Sequence, residues 1–130
     1  MLDGELVLPD ENGAPNFDGL QTAVRSAEEH ELVFFAFDLL YRDGKDLRSL
    51  PLTERKRRLG LVGRAEIPCL HLTEAFDDGP KLLQAAERHG LEGIVSKRRD
   101  SPYRSGECRD WVKVKTDAWR VATDRWRAFQ

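Results

Sequence analysis

"ELVFFAFDLLY", residues 31–41, decides how the rest of the chain is read. It is a nearly continuous apolar run rich in Phe, which is the composition of a buried strand. "RDG" at 42–44 then supplies turn chemistry. Further on, residues 51–61 predict a helix, with Pro51 in its first turn and Gly60 or Gly63 at its end. The "ERKRR" run inside it (54–58) reads as a solvated helical face or as a patch that contacts DNA. "IPCLHLTEAF" (67–76) predicts a second extended segment. Asp77 or Asp78 then caps a helix bearing Pro80, Leu82, Leu83 and Ala86, which ends near Gly90. "LEGIVSKR" (91–98) is a strand with Glu92 in its apolar run, "RDSPYRSGECRD" (99–110) a long basic loop, and "WVKVK" (111–115) a last strand. Towards the start, "LDGELVLP" (2–9) alternates as a strand, with Asp3 and Glu5 on one face and Leu2, Gly4 and Leu6 on the other. "DENGAPN" (10–16) turns, and from an Asn16 cap Phe17, Leu20, Val24 and Ala27 recur at helical spacing. In the tail, Trp119, Ala122, Trp126 and Phe129 share one helical stripe. Several strands with three or four helices on their faces make an α/β or α+β layer architecture.

At 130 residues the chain is the size of one domain and long enough to bury a core. Charged residues make up 34% of it at a net charge of only −2, which excludes a basic nucleic-acid tail and a disordered acidic one. The charge is uneven: residues 1–31 hold eight acids against one base, and 97–120 hold eight bases against four acids. That fits a local anion-binding side, and equally loops of opposite sign facing water. Cys69 and Cys108 show neither disulfide nor metal-ligand spacing, as suits a reducing compartment. No apolar run approaches the roughly 18 residues of a membrane span, so no membrane partner is expected.

Three strands carry charge where packing alone would not ask for it: Asp3 and Glu5 on the first, Glu92 on a later one, Lys113 and Lys115 on the last. Alternation in "WVKVK" puts Trp111, Lys113 and Lys115 on one face, with the two ammonium groups about 7 Å apart by strand geometry. Like charges side by side call for an anion or for bulk water. A buried carboxylate is costly unless paired or metal-bound. Taken singly, each fits an edge strand with that face in water. Taken together, they have a mechanistic sense. Carboxylates are Mg²⁺ ligands, one or two alongside phosphate, and paired lysines neutralise phosphate oxygens. Phe35 and Phe37 offer a flat surface for a base, or pack in the core. The sum is a nucleotide site, built neither on a Walker loop nor on a GxGxxG turn. His30, His71 and His89 stand in no Ser/His/Asp pattern.

"LDGELV", "FAFDLLYRDGKDLRSLPLTERKRRL", "LEGIVSKRRDSPYRSG" and "WVKVK" follow one another in the order and approximate spacing of the later motifs of ATP-dependent DNA ligases. On these stretches the chain, from Leu2 to about Lys115, resembles the adenylation (nucleotidyltransferase) domain of that family. Within the family it most resembles the ligase domain of the bacterial multi-domain non-homologous end-joining ligases, the ligase D type. The resemblance implies an α+β fold of antiparallel or mixed β-sheets flanked by helices. That would be a partial ATP-grasp-like nucleotidyltransferase domain over residues 1–115, with a helical tail at 116–130. It implies ATP or AMP with Mg²⁺ or Mn²⁺ as cofactors and DNA ends or nicked duplex DNA as partner. The setting would be the bacterial cytoplasm at the nucleoid, sealing breaks in repair and recombination. Residue by residue, Glu5 would contact the nucleotide ribose or metal, with Asp3 in support, and Phe37, just before Asp38, would stack on adenine. Glu92 would bind the catalytic metal. Lys113 and Lys115 would hold the α-phosphate, with Trp111 in support beside them.

Ligases of this kind first transfer AMP to the lysine of a K-x-D-G-x-R motif. The chain's nearest match is "KTDAWR" (115–120), with Ala118 in the glycine position, and its Lys115 is already the second lysine of "WVKVK". No catalytic nucleophile is therefore expected within these residues. The fifteen residues after "WVKVK" are too few for the family's OB-fold domain. The expectation is a ligase segment that is inactive alone, completed by an upstream fragment carrying the lysine. The alternatives are a non-catalytic module binding nucleotide or DNA ends, and a related RNA ligase or capping-type nucleotidyltransferase. "SKRRDSPYRSG" and "LPLTERKRRL" favour the DNA ligase branch over the last of these.

Overall fold

A computed structural model describes residues 1–11, 32–63 and 67–121. The helix expected after Asn16 and the far end of the tail stripe lie outside the described residues. The backbone groups into two units, Met1–Glu74 and Ala75–Gln130.

In the first unit the order is β1 (Leu2–Val7), β2 (Val33–Leu39), β3 (Tyr41–Arg42), β4 (Lys45–Asp46), α1 (Leu52–Gly63) and β5 (Leu70–Leu72). The apolar run forms β2, the central strand of a mixed three-stranded sheet, antiparallel to β1 and parallel to β5. Burial on both faces is what a central strand requires, and it explains the run of Phe and Leu. The "RDG" turn closes the short β3–β4 hairpin. Asp43 (φ 51°) and Gly44 (φ 78°) both adopt the left-handed conformation that a tight two-residue hairpin turn demands. Ala36, Leu39, Leu47 and Leu59 form the core, with Leu2, Phe34, Leu50, Val62, Leu70 and Leu72 packed against it.

Two features depart from the sequence reading. The "ERKRR" run is not simply a wet face. Arg55 is fully buried and forks onto Asp38 of β2, Nε to Oδ1 at 2.8 Å and Nη2 to Oδ2 at 3.0 Å, both side chains being 0% exposed. Glu54, Arg57 and Arg58 do form the expected surface ion pairs. The burial of β1 also departs from the expected alternation, with Leu6 exposed and Val7 buried. Opposite it, β2 carries a β-bulge: Asp3 pairs with Asp38 but Gly4 pairs with Ala36, which inserts Phe37 between the two pairs. Gly4 is required there, since a Cβ would lie 2.3 Å from the Phe35 carbonyl oxygen.

The second unit holds α2 (Gly79–Arg88), β6 (Gly93–Lys97) and β7 (Trp111–Lys115). Asp78 caps α2 by accepting the Lys81 N–H at 3.1 Å, and Gly90 (φ 67°) follows its end. α2 packs on β6, and β6 and β7 form an antiparallel hairpin from Gly93↔Lys115 to Lys97↔Trp111. Glu92 lies immediately before β6 rather than inside it, and the extended segment at 67–76 contracts to the three residues of β5. Residues 117–121 begin a helix after β7. No helix among the described residues is long and apolar enough to cross a membrane.

Candidate functional site

The hairpin of the second unit brings three of the singled-out side chains together. Register puts Gly93, Val95 and Lys97 of β6 opposite Lys115, Lys113 and Trp111 of β7, so paired residues share a face. Glu92 enters at the open end. Its Oε1 lies 2.6 Å from Lys113 Nζ and 3.7 Å from Lys115 Nζ. The Lys113 hydrogen bond, opposed by partial burial and aided by the charges of Lys113 and Lys115, holds the Glu92 carboxyl below the ordinary glutamate range. Both lysines remain substantially exposed. Two ammonium groups converging on one oxygen reproduce the arrangement a phosphate oxygen would need.

Three backbone devices hold this geometry, and the sequence reading found none of them. A Cβ on Gly93 would lie 2.1 Å from the Val114 carbonyl oxygen and 2.8 Å from Lys115 Cα, so only glycine lets β6 approach β7 beside the lysine. Thr116 is almost fully buried. Its N–H donates to the Glu92 carbonyl at 2.9 Å, and its hydroxyl donates to the Leu91 carbonyl at 2.8 Å. That bolts the end of β7 to the backbone on either side of the acid. Glu87 of α2 accepts the N–H groups of Asp117 and Ala118, each at 2.9 Å, at the start of the following helix. A threonine directly before an Asp-Ala-Trp helix start was the legible signal for the Thr116 contacts. The same contacts show "KTDAWR" to be the end of a strand and the start of a helix.

Trp111 packs against its neighbours and also lines a shallow cavity with Gly106, Glu107, Cys108 and Arg109. Tyr103 meets its ring edge-on with centroids 5.5 Å apart, and Lys97 Nζ sits 4.0 Å from the ring centroid. In the basic loop Arg98 pairs with Asp100 and Asp110, and Arg99 with Asp77. Arg104 and Arg109 are exposed.

The first unit carries the remaining singled-out residues on its sheet. Glu5 is exposed and pairs across the strands with Phe35, which in turn pairs with His71 of β5. The Phe35 and His71 rings are 5.5 Å apart and tilted by 41°, and Phe35 is 37% exposed. A carboxylate and two rings thus stand in one row across three strands, and His71 was not singled out from the sequence. Phe37 is half-buried in the bulge, and Asp3 lies opposite Asp38.

No group of three or more His, Cys, Asp or Glu side chains able to hold a metal ion occurs among the described residues. A single carboxylate beside two ammonium groups suits Mg²⁺ or Mn²⁺, which take one or two carboxylates together with substrate phosphates rather than a protein cage. Glu92 fits that mode.

A sequence profile described as "ATP dependent DNA ligase domain" matches residues 1–115. The chain is similar to the multifunctional non-homologous end joining protein LigD of Pseudomonas aeruginosa, 43% identical over 116 residues. That match takes in 88% of this chain and 14% of the relative. In structure it is similar to the ligase domain of LigD from M. tuberculosis, with a TM-score of 0.75 and 38% identity over 88% of this chain and 36% of that one. A mycobacterial DNA ligase D complexed with ATP and MES matches with the same TM-score and identity, over 88% of this chain and 37% of its own. The chain thus spans about a seventh of the P. aeruginosa LigD and little more than a third of the solved ligase domains.

Proposed function

This chain belongs to the ATP-dependent DNA ligase domain family, and on that premise we propose that it binds the nucleotide and DNA end for an end-joining ligase of the LigD type. The observation that carries the reading is the convergence of Lys113 and Lys115 on Glu92 Oε1. With nucleotide bound, the two ammonium groups turn from the carboxylate to oxygens of the α-phosphate, whose charge they neutralise. Glu92, released from Lys113, would be the residue to hold Mg²⁺ or Mn²⁺. The bound ion would supply further neutralisation at the phosphates. In the first unit, Glu5 takes the ribose side of the nucleotide with Asp3 behind it, and Phe37 takes the adenine face. Trp111 supports the strand that carries both lysines.

The 130 residues contain no K-x-D-G-x-R sequence, so the attacking lysine would come from polypeptide outside them. These residues alone would not form the covalent adenylate. DNA ends or nicked duplexes are the second substrate, and the exposed Arg104 and Arg109 are the loop cations suited to a phosphate backbone. The setting is repair and recombination at the bacterial nucleoid.

Calorimetric titration of the chain with ATP and Mg²⁺ tests the reading. Lys113→Ala combined with Lys115→Ala is expected to weaken ATP binding at least about tenfold, as loss of charge-assisted contacts to phosphate would. An ATP affinity unchanged by the double substitution would end the proposal.

A further inference from the structure

Asp38 and Arg55 are each 0% exposed and are used by none of the roles given above. Their bonding is complete and specific. Besides the two-pronged contact with Asp38, Arg55 donates through Nη1 to the Leu50 carbonyl at 2.5 Å. Asp38 Oδ1 also accepts the Leu39 N–H at 2.9 Å. A buried pair of this kind seldom stabilises a fold more than apolar residues of the same volume would, and its best-attested use is to fix register. The register at issue here is that of the bulge. Phe37 is inserted between the Asp3–Asp38 and Gly4–Ala36 pairs, directly beside Asp38. Were β2 to slip by one residue, the side chains beyond the bulge would exchange faces. Arg55 would then be left in the core as an unpaired charge.

The geometry points to Arg55 as a positioning residue: through Asp38 it locks the bulge of β2 and so fixes where the Phe37 ring stands. This rests on the reading of Phe37 as the adenine-stacking ring and deepens it. The fork matters as much as the charge, because a guanidinium meets both carboxylate oxygens in one plane and an ammonium does not. Asp38 serves the same lock from the strand side, its Oδ1 tying the carboxylate to the Leu39 amide at the edge of the bulge.

The test uses the full 130-residue chain carrying Asp38→Leu with Arg55→Met, which replaces the pair by apolar side chains, one branched at Cγ and one long, and removes the lock without stranding a charge. ATP and inorganic triphosphate affinities are measured beside the thermal melt. The expected result is a melt close to that of the unaltered chain, unchanged triphosphate affinity, and ATP affinity lower by about tenfold, the share of one base-stacking contact. Equal ATP affinity in the two proteins would overturn the inference. Should the double variant not fold, Arg55→Lys serves, and it should show the same selective loss of ATP over triphosphate. A loss shared equally by both ligands would refute the lock. If the folded, unaltered chain bound no ATP at all, the nucleotide reading would fall by itself. The lock would then be decided by amide exchange at residues 37–39, expected to be faster in the variants; identical exchange would reject it.

Discussion

Glu92 owes its place in this structure to two neighbouring ammonium groups. Its bond to Lys113 places the carboxyl below the ordinary glutamate value of 4.5. Between the folded and unfolded values the unfolded chain binds more protons, so stability rises with pH across that window. The contribution is fully present above 4.5 and is lost as pH falls through the lower, folded value. With partly exposed partners it amounts to about 0.2–1 kcal/mol. Glu92→Gln should therefore lower the melting temperature slightly at pH 7, and the gap from the unaltered chain should shrink as the pH drops below 4.5. A gap that stays constant across a series of melts from pH 7 downwards would mean that the ion pair is not its source. The same substitution leaves Lys113 and Lys115 facing each other without their anion. Bound phosphate should accordingly narrow the gap at pH 7.

At the level of elements, what the sequence made legible was periodicity, and what it hid was pairing. The Phe-rich run announced a buried strand, Pro51 and the closing glycines announced α1, and the alternation of "WVKVK" announced β7. Each of those signals is local. Arg55 looked like any other cation on a charged helix, because nothing in "ERKRR" says which residue faces β2. The bulge at Phe37 follows from how β1 and β2 align, a relation between segments some thirty residues apart. His71 joins Phe35 for the same reason, through a parallel pairing that neither stretch displays. Glu92 was grouped with its lysines by the chemistry of acids and paired ammonium groups and by family resemblance, not by any spacing rule. The glycine after Glu92 makes the contrast concrete. In sequence it looks like a weak point in a strand, and in the fold it is where two backbones meet. Gly93→Ala would press a methyl group against the Val114 carbonyl and Lys115 Cα, neither of which can rotate away. The hairpin must open, at a cost typical of overpacking, about 1–3 kcal/mol. The expected readout is faster amide exchange along β6 and β7 together with weaker ATP binding. Gly60, on α1 with open space around it, should accept alanine without loss and serves as the control.

Across the whole molecule, apolar burial is unequally divided. Of the eight buried apolar residues among those described, seven lie in Met1–Glu74 and one, Ala86, in the second unit. The β6–β7 hairpin meanwhile leaves Val95 and Val112 half exposed, at 50% and 54%. Few buried apolar contacts and a two-stranded sheet are the marks of a region that opens at low free energy. The element that carries the proposed phosphate site is thus among the least secured by its own packing, held instead by Thr116, Glu87 and the Glu92 ion pairs. Native-state hydrogen exchange should report this directly. Amides of β2 and α1 are expected to be the slowest in the chain, and those of β6 and β7 markedly faster. Ligand should change that order. A nucleotide that binds only the closed hairpin stabilises it by RT ln(1 + [L]/Kd), about 2.7 kcal/mol at a hundredfold excess over Kd. Exchange in β6 and β7 should then slow by about a hundredfold. No slowing at Ile94–Lys97 or Val112–Lys115 would remove the hairpin from the binding site.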